Sequence, residues 1–144
     1  MALTSSEEVV ANAIFTIITA NLGPLGAAVS FYGDQDLLPK TPAICIAPGP
    51  KTREFQGASL TTLNTFETFV FVYYGKIQDV QVNWHGAQAL ADAIEPVVQT
   101  DMTLGGIVTS TLCTLNEPGM INKSGSLMMG NRLTFQSQNK TRLP

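Results

Sequence analysis

The run Thr65-Phe-Glu-Thr-Phe-Val-Phe-Val-Tyr-Tyr74 constrains the fold more than any other stretch of this chain. At the two-residue period of a strand, Val70, Val72 and Tyr74 share one face, and Phe69, Phe71 and Tyr73 share the other. A strand with one solvated side alternates apolar with polar residues, whereas one that is apolar on both sides has material against both. This segment therefore needs two covers: a layer from its own chain, and either a second layer or a neighbouring subunit. Gly75 ends it.

The remaining elements arrange themselves around that strand. Ser5 and Glu8 form a capping box for an amphipathic first helix, in which hydroxyl and carboxylate each satisfy a free backbone N–H. Val9, Val10, Ala13, Ile14, Ile17 and Ile18 recur at helical spacing, with Asn12, Thr16 and Thr19 away from them. Phe15 interrupts the polar face and predicts a contact on the helix's second side, and Gly23-Pro24 stops the helix. Residues 23–42 read as a connector rich in Gly, Pro and Asp, with turns at Gly33-Asp34 and Leu38-Pro39. Thr41-Pro42 keeps the approach to the next strand extended. Ala43 to Ala47 is a short apolar strand, which Pro48-Gly49-Pro50 is expected to end because two prolines cannot donate ladder hydrogen bonds.

A second helix starts at Asp79 or Asn83 and runs to about Gln99. Trp84, Ala87, Ala91, Ile94 and Val98 form its apolar stripe, with Leu90 beside it; Gly86 weakens the helix and Pro96 is expected to kink its end. Gly105-Gly106 turns the chain into a Thr-rich strand from Ile107 to Leu115, and Asn116-Glu117-Pro118-Gly119 reads as a turn. The last strand, Leu127 to Ser137, puts Leu127, Met129, Leu133 and Phe135 on one face. Arg132, Thr134 and Gln136 lie on the other, solvated or paired, and Asn139 to Pro144 is a polar basic tail. The order helix, strand, strand, helix, strand, strand predicts an α+β fold, a four-stranded and largely antiparallel sheet with both helices on one face. The 144 residues suit one domain of this kind, carrying the short tail.

Charge narrows the function. Only 13% of residues are charged, against a usual ~25%, which favours a subunit partly covered by neighbours over a solvated monomer. A monomer with a Ser/Thr/Asn/Gln surface is the plain alternative. The net charge of −3 argues against a dedicated nucleic-acid binder. Residues 1–39 hold four acids and no base, whereas residues 118–144 hold Lys123, Arg132, Lys140 and Arg142 and no acid. Such polarity suits complementary contact between copies, or a basic fringe near an acidic partner. No basic region precedes the first apolar run, because the first Lys is Lys40, so no secretory leader is expected; no run reaches the ~18 apolar residues of a membrane span.

Catalytic constellations do not emerge. His85 is the one histidine, with no carboxylate or thiol at ligand spacing, and Cys45 and Cys113 read as separate buried thiols, with a disulfide between them as the lesser alternative. Asp92 and Glu95, three apart on the second helix, read as a solvated charged face. Gly49-Pro50-Lys51-Thr52 lacks the spacing of a phosphate loop, and Ser124-Gly125-Ser126 is a turn and not a nucleophile elbow. The strand aromatics lack the interleaved basic residues of a base-stacking platform. Neither an enzyme, a cofactor nor a metal is expected.

Pro48-Gly-Pro-Lys-Thr-Arg-Glu54, then Asn64-Thr-Phe-Glu-Thr-Phe-Val-Phe-Val-Tyr-Tyr-Gly-Lys-Ile-Gln-Asp-Val-Gln-Val-Asn83, and the closing Arg132-Leu-Thr-Phe-Gln-Ser-Gln-Asn-Lys-Thr-Arg142 together resemble the small neck proteins of tailed bacteriophages. Over about residues 42–142 the element order is most similar to tail terminators. The resemblance implies a structural virion protein of tail and neck, assembled in the host cytoplasm, without catalysis. It implies a homo-oligomeric ring, a hexamer in that family, that ends tail-tube polymerisation and docks to the head connector or stopper. Its partners are then further copies of itself, the tail tube protein and the connector, with passing contact with DNA in the lumen and no membrane. In that setting Lys51 and Arg53 reach a neighbouring subunit or ring, Lys140 and Arg142 lie near them, and Phe69, Phe71 and Tyr73 meet a neighbour. A head-completion adaptor or stopper, and a small binding module outside any virus, remain the alternatives.

Overall fold

The computed structural model describes residues 6–34, 38, 40–55, 61–76, 80–123 and 126–142. They form α1 (Ser6–Ala20), α2 (Leu22–Leu25), β1 (Val29–Tyr32), β2 (Ala43–Phe55), β3 (Thr61–Lys76), α3 (Val80–Gln99), β4 (Ser110–Lys123) and β5 (Ser126–Arg142). The strands make one mixed sheet in the order β1-β2-β3-β5-β4. β1 pairs parallel to β2, and all other neighbours are antiparallel. The class is α+β as expected, but with a fifth strand and a third, short helix.

Both additions fall at or within the segment that reads as a connector. Gly23-Pro24 does not stop helical structure; it sits inside α2, whose end is capped by Gly26 at φ 77°. The left-handed conformation there suits a residue without Cβ. β1 pairs Val29 to Ala43 through Tyr32 to Ile46. Phe15 of α1 meets its Tyr32 edge-on, with ring centroids 6.0 Å apart, so the extra apolar residue on α1 has found its partner. Four residues among turn formers carry too little periodicity to be read as a strand. The Thr41–Pro42 peptide is cis.

The proline pair does not end β2. The strand continues to Phe55 with a register shift between Pro48 and Lys51. The Pro42 and Ile46 carbonyls accept from Ala28 and Gly33 on the β1 side. Alternation turns the Pro48 nitrogen to that same side, past the end of β1, where no ladder bond is lost. Gly49 is needed at the shift, because a Cβ would stand 2.9 Å from both the Glu67 carbonyl oxygen and Phe69 Cε2.

The second hairpin is likewise longer than its turn signals imply. β4 begins at Ser110 and runs through Asn116-Glu117-Pro118-Gly119, which an edge strand tolerates. β5 continues through the expected tail, pairing Asn139 to Asn64 and Arg142 to Thr61. Ser5, Asp79, Pro39 and Ser124-Gly125, named above in caps or turns, lie outside the described residues.

Both long helices cover one face. Val10, Ala11, Ile14 and Ile18 of α1 and Leu90, Ala91, Ile94 and Val98 of α3 pack on Ile44, Ile46, Phe66, Val70, Val72, Leu133 and Phe135. The α1 stripe is centred slightly off the expected one: Ala11 is buried and Val9 is exposed. α3 runs unbroken through Pro96 to Gln99. After it, Leu104 (φ 51°), Gly105 (75°) and Gly106 (90°) turn the chain towards β4.

Candidate assembly interface

The face of the sheet without helices is where the structure leaves apolar surface. In register across β3, β5 and β4 lie Phe69, Thr134 and Leu115; then Phe71, Arg132 and Glu117; then Tyr73, Gly130 and Gly119. Phe69, Phe71 and Tyr73 form a ladder with ring centroids 6.3 and 6.4 Å apart, the second pair nearly parallel. Leu112 and Leu115 on edge strand β4 are 52% and 44% exposed.

The ladder is covered at one end. Tyr73, Cys45 and Met128 form a small second core, with Phe31, Leu38 and Phe71 packed against it. The Tyr73 hydroxyl donates to Asp34 Oδ1 at 2.6 Å. Burial, then that bond and the Asp34 charge, hold the phenol far above its ordinary range, so it stays protonated. Phe69 and Phe71 remain half-buried. Among the described residues the two covers expected for this strand are therefore a helix layer on one face and, on the other, β1 and the connector at the Tyr73 end.

Beside Phe71 and Tyr73 lies a cleft of ≈ 300 Å³ lined also by Asp34, Glu117, Gly119, Gly130 and Arg132. Gly130 and Gly119 are paired across β5 and β4, so the floor is bare backbone. Arg132 bonds Glu117 at 2.9 Å and lies 5.8 Å from the Phe69 ring centroid. Sequence reading missed this site because Gly119 looked like a turn residue and Gly130 carried no signal alone.

The predicted basic residues fall on a three-stranded arm formed by the outer halves of β2, β3 and β5. Lys51 is not aimed outward: its Nζ lies 3.2 Å from Glu7 and 3.0 Å from Ser6 Oγ, and it caps the Phe66 ring at 5.8 Å. This bond, with that of Ser6, holds the Glu7 carboxyl below its usual range. Arg53 is exposed. Lys140 is exposed two strands away, in the row Glu54, Leu63, Lys140. The Arg142 backbone joins the arm, and its side chain lies outside the described ones. Phe55, near the end of β2, is 77% exposed.

The polar residues of α3 tie it to the sheet. Asn116 donates to Asp92 at 3.2 Å and Glu95 at 3.4 Å, and Asn131 donates to Asn116 at 2.8 Å. The Asp92–Glu95 pair is thus partly a bridge from helix to β4 and not purely a solvated face. Cys113 Sγ donates to Glu95 at 3.4 Å; burial, then the Glu95 charge and bond, push its thiol up to about 11. Among the described residues no group of three or more His, Cys, Asp or Glu is placed to hold a metal, and no helix is long and apolar enough to cross a membrane. Neither protein-family models nor the curated proteins yield a match to this chain.

Proposed function

We propose that this chain is a structural virion subunit of the tail-terminator kind. In this reading it self-assembles into a ring, six-fold as in the proteins it resembles, at the head-proximal end of a phage tail. The ring ends tube polymerisation and presents the surface that joins the tail to the head connector or stopper. No catalysis and no cofactor enter this reading. The observation that carries it is the half of the sheet that the described residues leave open: Phe69, Phe71, Leu112 and Leu115 give apolar surface on the face opposite the helices. Contiguous exposed apolar surface on a soluble domain marks an interaction site. A predominantly strand-built subunit also favours terminator over the more helical adaptors.

Native mass spectrometry over a range of concentration and salt, followed by mixing with purified tail tubes, tests this reading. A closed ring, or addition to one end of the tubes, supports it. A chain that stays monomeric, ignores tube ends and melts higher in the presence of a small metabolite overturns it in favour of a binding module.

A further inference from the structure

We propose that Arg53 and Phe55 of one copy dock into the Phe71–Tyr73–Gly119–Gly130 cleft of a second copy, head to tail. The inference rests on the reading of the chain as a self-assembling subunit and specifies its contact. At 77% exposure Phe55 is the most open of the described large apolar residues, and the described residues leave it uncovered at the end of the arm. It pairs with Thr62, and Lys51, four residues earlier, lies over Phe66 of the helix-side core. Arg53 and Phe55 therefore point to the helix side of the sheet. The cleft opens on the opposite side, level with Tyr73.

From Thr62 to Tyr73 along β3 is roughly 36 Å at strand rise, so no chain can place its own Phe55 in its own cleft. Two complementary patches at opposite ends and on opposite faces of one molecule make a heterologous contact, the kind that closes into rings. The chemistry of the two patches matches. The paired glycines put no side chain in the way of close approach, and the half-buried Phe71 ring, stacked on the buried Tyr73, walls the space for another ring. Asp34 and Glu117 against Arg132 give the cleft an excess of one negative charge, which suits Arg53 beside Phe55. Arginine is enriched at interface hot spots, and aromatic residues are enriched at interface cores.

The test uses two variants of the full chain, Phe55→Asp and Gly119→Leu. Phe55 is exposed, and nothing lies within 4 Å of a Cβ at Gly119, so both variants are expected to fold; the new leucine fills the cleft. Each variant alone should be monomeric by native mass spectrometry where the wild type is oligomeric, with association weakened at least a hundredfold. Mixed together they should form a dimer and nothing larger, because one intact knob meets one intact cleft. That rescue also shows that both variants are folded. Oligomers that survive both changes overturn this contact while leaving the ring reading to another face. A wild-type chain that is monomeric at all concentrations overturns the contact too, and the ring reading is then decided on tail tubes. A metabolite-induced rise in melting that Gly119→Leu abolishes overturns it by making the cleft a ligand site.

Discussion

The ring of Tyr74 rests directly on the backbone of Gly86, so closely that a methyl group on Gly86 would overlap the ring carbons and hydroxyl. This contact lets the Tyr74 ring of β3 settle on the α3 backbone with no side chain from Gly86 in the way. Glycine in a helix is disfavoured by ~1 kcal/mol relative to alanine, yet here its lack of a side chain is what the packing uses. Gly86→Ala is expected to destabilise the fold by about 1–3 kcal/mol of overpacking in spite of the better helix propensity. In a Tyr74→Val background the same change becomes neutral or stabilising. Urea unfolding of the four proteins of that cycle measures the coupling.

Lys51 and Arg53 are two residues apart but differ in role. Lys51→Glu sets a negative charge against Glu7 and removes the cover of Phe66, so it should lower stability by up to ~1 kcal/mol at low salt, and by less in 1 M salt. Arg53→Glu should leave the melting temperature of the dilute monomer unchanged. Thermal melts at two salt concentrations separate the two, and Arg53→Glu is the cleaner probe of assembly.

Asp101 organises the turn between α3 and β4. Its carboxylate accepts from the Thr103 hydroxyl at 2.6 Å and from the Thr103 and Gly105 backbone N–H groups. These bonds, the hydroxyl first, hold its carboxyl below the ordinary value of 3.8. Because the folded value is depressed, the contribution is fully present at neutral pH and disappears as pH falls through the folded value. Asp101→Asn should therefore be less stable than wild type at pH 7. The difference should shrink towards zero in acid, as urea melts along a pH series would show.

Cys113 should be a sluggish thiol. With its pKa pushed up from 9.0 to about 11, its thiolate population at pH 8 is roughly a hundredfold below that of an unperturbed cysteine. A disulfide-exchange reagent should label it slowly in the native chain and promptly in urea. Glu95→Gln removes the nearby negative charge and should speed native labelling, whereas a rate unchanged by that substitution would leave burial as the whole cause.

Local sequence determined the elements whose period is long and unbroken. The α3 stripe, the alternation of β3 and the inward face of β5 follow from residue spacing, and burial of Ile94, Val72 and Leu133 agrees with them. The need for two covers on β3 was also present in Phe69, Phe71 and Tyr73 as written. Tertiary structure decided what local signals could not. Pro48, Pro50 and Pro118 read as breaks, yet each lies in a strand at a point where the sheet has a free edge. Whether a missing N–H is harmful depends on which neighbour the strand faces, and that neighbour is fixed by the chain's path. β1 is defined by its pairing to the β2 edge; four residues among turn formers do not announce it. Gly119 and Gly130 form a cleft because the β4–β5 register sets them side by side, and pairing is a relation between distant residues. Lys51 turned inward for the same reason, since Glu7 reaches it only once α1 has packed on the sheet.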